Sequence, residues 1–293
     1  MRIAVYSRLL KPQDITYVQA VFDNLYRWKT DIYIHENYVS EIRAKIHYDG
    51  DFQTFESCED LKAEKIQLLI SLGGDGTILD TLTFVKDSNI PIAGVNLGRL
   101  GFLSSIDKNM IEEAIEALVH GNYELDKRTV LHLESNIPNF NGLNYAINDC
   151  TISKRDTSSM IVVHMYINGE FLNSYWADGL IIATPTGSTG YSLSCGGPII
   201  FPNSGNFVIT PIAPHNLTMR PMVIPDDAVL SFEIEGRGEN FLCTLDSRFE
   251  LVTKHHRLAV KKADFTINIA RLFERNFLST LRDKLGWGID SRN

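Results

Sequence analysis

Ile66-Gln67-Leu68-Leu69-Ile70-Ser71-Leu72-Gly73-Gly74-Asp75-Gly76-Thr77 decides the reading of this chain. The apolar run that opens it has the length and branching of a strand buried on both faces of a parallel sheet. Gly73 and Gly74 then turn the chain sharply, Asp75 stands at the tip, and Gly76 and Thr77 follow. Beyond Thr77 the spacing of Ile78, Leu79, Leu82 and Val85 predicts a helix with Thr77 as its N-cap. Strand, glycine turn and helix start are the parts from which an open α/β sheet builds a ligand site at its strand ends. Glycines let backbone N–H groups approach a phosphate, and a helix N-terminus favours negative charge. Gly73, Gly74, Gly76 and Thr77 are therefore expected to form a phosphate loop. Asp75 is the odd residue there, because a carboxylate repels phosphate. Its use in such a place is to orient a nucleophilic hydroxyl or to help hold a cation. Gly-Asp-Gly alone is a tight turn in any protein, but three glycines set between a buried strand and a helix are a stronger signal.

Outward from this stretch, strand and helix patterns alternate. Residues 3–6 read as a strand, and Val18, Val21, Phe22 and Leu25 form one helical stripe. Residues 32–34 read as a strand, 38–46 as a helix and 91–96 as another buried strand. Such alternation predicts a parallel sheet with helices on its faces. Asn96-Leu97-Gly98-Arg99-Leu100-Gly101-Phe102-Leu103 is a second glycine loop, expected on the same sheet edge as Asp75, where Gly98 and Gly101 would bracket a phosphate. After one amphipathic helix through Ile111, Ala114, Ile115 and Leu118, short strands dominate: 130–134, 145–153, 161–167, 180–184, 229–234, 241–245 and 265–269. Asn168-Gly169 is the strongest hairpin signal, and Gly236-Arg237-Gly238 reads as another hairpin tip. The expectation is an α/β domain at 1–106 and a largely antiparallel β domain at 107–270. A tail at 271–293, with a helix over 277–285, should pack back on the first domain.

The bulk composition bounds the function. A chain of 293 residues is long enough for two cores, and 44% hydrophobic with 22% charged residues describes an ordinary globular protein. The formal net charge of −8 argues against a nucleic-acid partner, and it requires an anionic ligand to be held by local donors. Cys58, Cys150, Cys195 and Cys243 are scattered, as reduced thiols would be. No apolar run reaches the length of a membrane span and none resembles a signal peptide, so the expected location is cytoplasmic, with no membrane partner. The eight histidines show no ligand spacing, so no dedicated metal site is expected.

A second candidate region lies in the β domain. A buried strand ends at Thr184-Pro185, and Thr186, Ser188, Thr189, Tyr191, Ser192 and Ser194 follow in one short stretch closed by Gly196-Gly197-Pro198. Six hydroxyls suit sugar hydroxyls, a base edge and a diphosphate better than acid–base chemistry. Asn148-Asp149, at a strand end, adds an amide for an adenine edge and a carboxylate for a ribose diol. Arg99, Lys154, Arg155 and Arg220 could each contact a phosphate, and the plainer reading of any one of them is solvated surface charge.

Taken together, Gly73 to Thr77, Asn96-Leu97-Gly98 with Gly101-Phe102-Leu103, Asn148-Asp149, and Asp178-Gly179-Leu180 through Pro185 to Pro198 resemble the bacterial NAD kinase family in order and spacing along nearly the whole chain. The resemblance implies phosphoryl transfer from ATP, or polyphosphate, to the 2′-hydroxyl of the adenosine ribose of NAD, giving NADP. It implies a Rossmann-like first domain, a β-sandwich second domain and a homodimer or homotetramer. It makes Asp75 the base, Asn148 and Asp149 the holders of the adenosine, and Asp75, Gly76, Asp178, Thr189, Tyr191 and Ser194 further parts of the NAD pocket. Mg²⁺ would arrive with the ATP phosphates, keeping most of its waters. This sequence departs from the family pattern at Asp149, where Glu is frequent, at Gly190 and Cys195, where alanines are usual, at Trp176, and at Asp246-Ser247-Arg248, where Asp-Gly-Gln is frequent; no role is carried over to Trp176 or Arg248. The alternatives are a lipid or sugar-phosphate kinase with the same Gly-Gly-Asp motif, or a non-catalytic NAD(P)-sensing module.

Overall fold

Strand and helix alternate through the first third of the chain: β1 (Arg2–Tyr6), α1 (Ile15–Arg27), β2 (Asp31–His35), α2 (Glu36–Lys45), β3 (Phe52–Phe55), α3 (Cys58–Ala63), β4 (Leu68–Gly73), α4 (Asp75–Val85), β5 (Ile92–Asn96), β6 (Ile106–Asp107) and α5 (Ile111–Val119). The structure is a computed structural model that describes residues 1–99, 101–138, 140–155, 159–272 and 276–287. Leu100 of the second glycine loop therefore lies outside the described residues. The strands are parallel in the order β3-β2-β1-β4-β5, with β6 beside β5. β4 is central, and Leu68, Leu69, Ile70 and Leu72 are fully buried, as an apolar strand covered on both faces must be. The α1 stripe of Val18, Val21, Phe22 and Leu25 packs into the same core as Ile3, Val5 and Ile70. α3 has no long apolar period; a reciprocal cap starts it, Ser57 Oγ accepting from the Asp60 N–H while the Asp60 carboxylate accepts from the Ser57 N–H.

One expected boundary moves. Ile111, Ala114, Ile115 and Leu118 of α5 join the core of Val18 and Phe22, so this helix belongs with the first unit. The chain divides into residues 1–127 with 267–293, and residues 128–266, rather than after residue 106. An amphipathic stripe shows that a helix is half-buried, not which core buries it.

The remaining elements are β7 (Glu124–Ser135), β8 (Tyr145–Ala146), β9 (Asp149–Lys154), β10 (Ile161–Ile167), β11 (Glu170–Ala177), β12 (Gly179–Ala183), α6 (Tyr191–Ser194), β13 (Asn206–Ile212), β14 (Met222–Pro225), β15 (Leu230–Glu235), β16 (Phe241–Leu245), β17 (Arg248–Val252), β18 (Leu258–Arg271) and α7 (Phe277–Leu285). In the second unit one sheet runs β14-β13-β12-β9-β16-β17, antiparallel throughout. The other contains β11-β10-β15-β18, with β7 and β8 beyond. Ile152, Leu180 and Ile209 from the first sheet and Val163, Leu230 and Phe232 from the second share one core, which makes the unit a β-sandwich.

Asn168 and Gly169 both have positive φ, 51° and 85°, and join β10 to β11 as a tight hairpin. Gly236-Arg237-Gly238 is not a hairpin tip: β15 and β16 lie in different sheets, and the segment carries the chain between them. A glycine turn marks a reversal without saying which strand the chain pairs with next. β13 is buried along Phe207 to Pro211, although Pro211 speaks against a strand interior from sequence alone. β18 begins in the second unit and ends in the first, where Ile269 pairs with Ile92 of β5. α7, capped by Asn276 and closed by Gly286 at φ 65°, lies in that first unit with Phe277 against Phe102. No helix among the described residues is long and apolar enough to cross a membrane.

Candidate functional site

In the first unit, the carboxyl ends of β1, β4 and β5 open onto a cleft of about 500 Å³. Ser7, Arg8, Lys11, Gly73, Gly74, Gly76, Thr77, Asn96, Gly98 and Arg99 line it. All four residues of the expected phosphate loop are among them. Helix α4 begins one turn earlier than expected. Gly74 is its N-cap, and the Gly74 carbonyl accepts from the Thr77 N–H at 3.0 Å, so Thr77 stands inside the first turn. Its hydroxyl packs on Gly73, where a Cβ would come within 2.3 Å of Thr77 Oγ1. Gly73 is thus required by a close approach, and Thr77 is a packing partner of the loop rather than its cap.

Asp75 is the first residue of α4, and its carboxylate is held on one side by the second glycine loop. Oδ2 accepts from the Phe102 N–H at 2.7 Å, and Oδ1 from the N–H groups of Leu103 at 3.1 Å and Ser104 at 2.9 Å. Gly101 closes the contact, since a Cβ there would stand 1.7 Å from Asp75 Oδ1. The second loop therefore reads differently from its expectation. Gly101 makes room for a carboxylate rather than bracketing a phosphate, while Gly98 lines the cleft, its N–H on Asn96 Oδ1 at 2.9 Å.

A carboxylate has about four acceptor positions, and the three amides fill one on Oδ2 and two on Oδ1. The group is fixed in orientation and keeps an acceptor position on Oδ2. Sequence reasoning did not single out Arg8, Tyr6 and Asp80, which meet beside this loop: Arg8 Nε and Nη2 form a fork on the Asp80 carboxylate, and Tyr6 Oη donates to Asp80 Oδ2 at 3.1 Å. The available signal was position, because Arg8 follows β1 at the sheet edge where the glycine loop lies.

In the second unit, Asn148 and Asp149 stand where the expected long strand breaks into β8 and β9. The break has a cause 98 residues further on: the Asp246 carboxylate accepts from the N–H groups of Ile147 (2.9 Å), Asn148 (2.7 Å) and Asp149 (3.2 Å). Arg248 donates to the carbonyls of Leu143 and Tyr145, so the Asp246-Ser247-Arg248 segment organises the backbone on which Asn148 and Asp149 sit. Gly187 lies against this segment, where a Cβ would meet the Asn148 carbonyl oxygen at 2.1 Å. Asp178 pairs with Lys154 at 2.7 Å, so Lys154 is not a solvated charge, while the Arg220 guanidinium donates to the carbonyls of Leu217 and Met219.

The hydroxyl-rich stretch is mostly scaffold. Ser188 is fully buried, donating to the Pro185 carbonyl at 2.7 Å and accepting from the Ile200 N–H at 3.0 Å. Ser192 is also fully buried and shares a hydrogen bond with Thr210 at 2.8 Å. Thr186 accepts from buried Arg128, and Thr189 donates to the Thr186 carbonyl. Tyr191 and Ser194 remain exposed on α6. A sequence lists hydroxyls without their directions; a 3-10 turn followed by a one-turn helix points some of them inward. Among the described residues no three His, Cys, Asp or Glu side chains gather as metal ligands.

Burial and the Asp246 carboxylate push Asp149 up to about 7, with the Thr151 hydroxyl pulling weakly the other way. Asp246 is itself raised, to about 6, by burial, and is held lower than burial alone would put it by its three amide donors and Arg248. A carboxyl whose folded pKa lies above its unfolded value of about 3.9 stabilises the fold in its neutral form. That contribution is complete below the unfolded value and is lost as pH rises through about 7. Asp149→Asn cannot ionise, so its thermal midpoint relative to the unmutated protein should rise from pH 5 to pH 7 and level off above. A gap that is flat or shrinks over that range, in thermal melts at matched ionic strength, would contradict the assigned cause.

The family model described as the ATP-NAD kinase N-terminal domain matches residues 14–123, and that of the ATP-NAD kinase C-terminal domain matches residues 147–272. The NAD kinase of Cytophaga hutchinsonii is 49% identical over the whole of both chains. The chain belongs to the NAD kinase family. The NAD kinase of Flavobacterium psychrophilum is 45% identical, again over the full length of both, and that of Porphyromonas gingivalis is 40% identical over 98% of each. Among solved structures, yeast NADH kinase complexed with NADH superposes with a TM-score of 0.87, covering 99% of this chain and 88% of that one at 22% identity. An Archaeoglobus fulgidus NAD kinase in complex with ATP gives 0.74 over 98% of each at 24% identity. At those identities the likeness is one of fold. The relatives at 39–49% identity extend it to an enzyme, and they set aside the lipid kinase, sugar-phosphate kinase and sensing-module readings.

Proposed function

We propose that this NAD kinase family enzyme transfers the γ-phosphoryl group of ATP to the 2′-hydroxyl of the adenosine ribose of NAD, with Asp75 as the base. The observation that carries this reading is the fixed Asp75 carboxylate at the head of α4, beside a glycine-lined cleft. Phosphoryl transfer passes through a loose transition state, so it needs positioning and charge neutralisation more than a strong base. Asp75 Oδ2 accepts the hydrogen bond of the attacking hydroxyl, orients its lone pair at the γ-phosphorus and takes its proton as the new P–O bond forms and the bond from the γ-phosphorus to the bridging oxygen breaks, that oxygen leaving with ADP. The amides of Gly74 and Gly76 and the dipole of α4 favour the phosphate charge.

On the acceptor side, Asp149 and Asn148 hold the ribose and adenine of NAD. Tyr191 and Ser194 supply exposed donors, and Asp178 and Thr189 complete the pocket, Thr189 with its hydroxyl committed to Thr186. Trp176 is exposed and carries no assigned role. Mg²⁺ enters as part of the Mg–ATP substrate, bound through phosphate and water, which suits a cleft lined by a single acid, Asp14, with Asp75 and Asp80 beside it engaged by amides and by Arg8. The enzyme is cytoplasmic and works as a homodimer or homotetramer.

The direct check is formation of NADP by purified protein from NAD, ATP and Mg²⁺, with inorganic polyphosphate as a second donor. NADP formation with either donor is the expected result. Its absence with both, while the protein is folded by circular dichroism, would overturn the reading.

A further inference from the structure

The corner where β1 ends against α4 holds a second constructed feature, which the roles of Asp75 and the glycine loop leave unexplained. Arg8 is anchored at two points, Nε and Nη2 forming a fork on the two oxygens of Asp80, which follows Asp75 along α4. Asp80 is itself oriented by Tyr6 Oη at 3.1 Å. Tyr6 is in turn fixed in a ring cluster, with its centroid 5.3 Å from His35 and 4.9 Å from Phe84. A fork held at both ends leaves the guanidinium few orientations. Its third nitrogen, Nη1, lies over the phosphate loop, 3.3 Å from where a Cβ of Gly76 would stand. Gly76 thus leaves room for a cation as well as for the backbone turn.

The surroundings point to the ligand class. Arg8 lines the 500 Å³ cleft with Lys11, Arg99 and the glycines of the loop, in a protein whose net charge is −8. Three basic side chains against one lining acid, the buried Asp14, in a cleft of an acidic protein suit a chain of several phosphates better than a single one. Asp80 is an acid beside that cleft, and an unneutralised acid there would oppose the same ligand. The Arg8 fork neutralises it while turning Nη1 toward the loop. We infer that Arg8 is the fixed cation that grips the triphosphate chain of the phosphoryl donor, and that Asp80 and Tyr6 are its positioning residues. The inference rests on the NAD kinase reading for the name of the donor, and on the cleft alone for its chemistry.

Both grounds are open to separate test. Steady-state kinetics of Arg8→Ala should show KM for ATP raised roughly ten- to a hundredfold. KM for NAD should stay within about threefold, since the acceptor is assigned other residues. Arg8→Lys should recover part of the loss, because a lysine restores charge without the fork. Asp80→Asn should raise KM for ATP by a smaller factor through a loosened guanidinium, again sparing NAD. Calorimetric titration with inorganic tripolyphosphate, which needs no turnover, should show binding to the unmutated protein that is weakened in the same order. A protein that binds tripolyphosphate through Arg8 but forms no NADP would keep the inference and sink the kinase reading. NADP formation with KM for ATP and tripolyphosphate affinity both unchanged in Arg8→Ala would do the reverse. A rise in KM for NAD in place of ATP would also overturn it, assigning Arg8 to the acceptor diphosphate.

Discussion

Asp75→Asn should lower the turnover number by roughly 10²–10⁴-fold, the range that a positioned proton acceptor contributes. The substitution is nearly isosteric, but it removes one acceptor oxygen and the charge. Asp75 accepts from the Phe102, Leu103 and Ser104 N–H groups on both of its oxygens. Asn has a single carbonyl oxygen, so whichever way the amide is turned its NH₂ faces at least one backbone donor. The loop from Gly101 to Ser104 therefore loses partners, and stability should fall by about 1–3 kcal/mol, the usual cost of leaving a part-buried donor unsatisfied. KM for ATP should not rise, because the charge removed is one that repels phosphate. NADP formation and thermal melts on the same preparation separate the two effects. Turnover within about threefold of the unmutated enzyme would remove Asp75 from the chemistry, since a base contributing so little is outside that range.

Gly101→Ala should be nearly as severe, although residue 101 offers the substrate no side chain at all. A Cβ at this position would stand 1.7 Å from Asp75 Oδ1 and 2.4 Å from its Cγ, far inside contact distance. Either the carboxylate swings away or the loop withdraws, and each outcome breaks the hydrogen bonds that aim Oδ2. A misplacement of about 1 Å in a reacting group costs on the order of 10²-fold, so a loss of at least that size in turnover is expected. Overpacking adds a stability loss of about 1–3 kcal/mol. The signature that separates this from general unfolding is a turnover loss at a temperature well below the melt, with tripolyphosphate binding retained. An enzyme carrying Gly101→Ala at near-normal turnover would show that the carboxylate works from some other position.

Both predictions concern a site whose outline is local in sequence and whose working parts are not. The apolar run to Leu72, the glycines after it and the helical spacing after Thr77 are consecutive, and their backbone preferences are local properties. The loop was legible for that reason. The start of α4 was less so: Thr is a good cap by propensity, but the chain already turns at Gly74, whose carbonyl takes the Thr77 N–H. The hydroxyls from Thr186 to Ser194 were legible as a cluster, yet the fold turns Ser188 and Ser192 inward and leaves Tyr191 and Ser194 outside. The boundary at α5 and the crossing at Gly236 to Gly238 were missed for a related reason. Each depends on which distant core or sheet the segment joins.

By itself the sequence determined the class of fold, the position of the phosphate loop and the family to which the chain belongs, because buried strands, glycine turns and motif order are written in consecutive residues. The tertiary structure alone decided how the site is held. Arg8 reaches Gly76 because β1 lies beside β4, with Tyr6 opposite Ser71. Asp75 is aimed by amides 27 to 29 residues away, and Asn148 and Asp149 are set by Asp246, almost a hundred residues further on. Fixing a carboxylate or a guanidinium takes donors or acceptors from several directions at once, and neighbouring residues along one chain cannot supply them all.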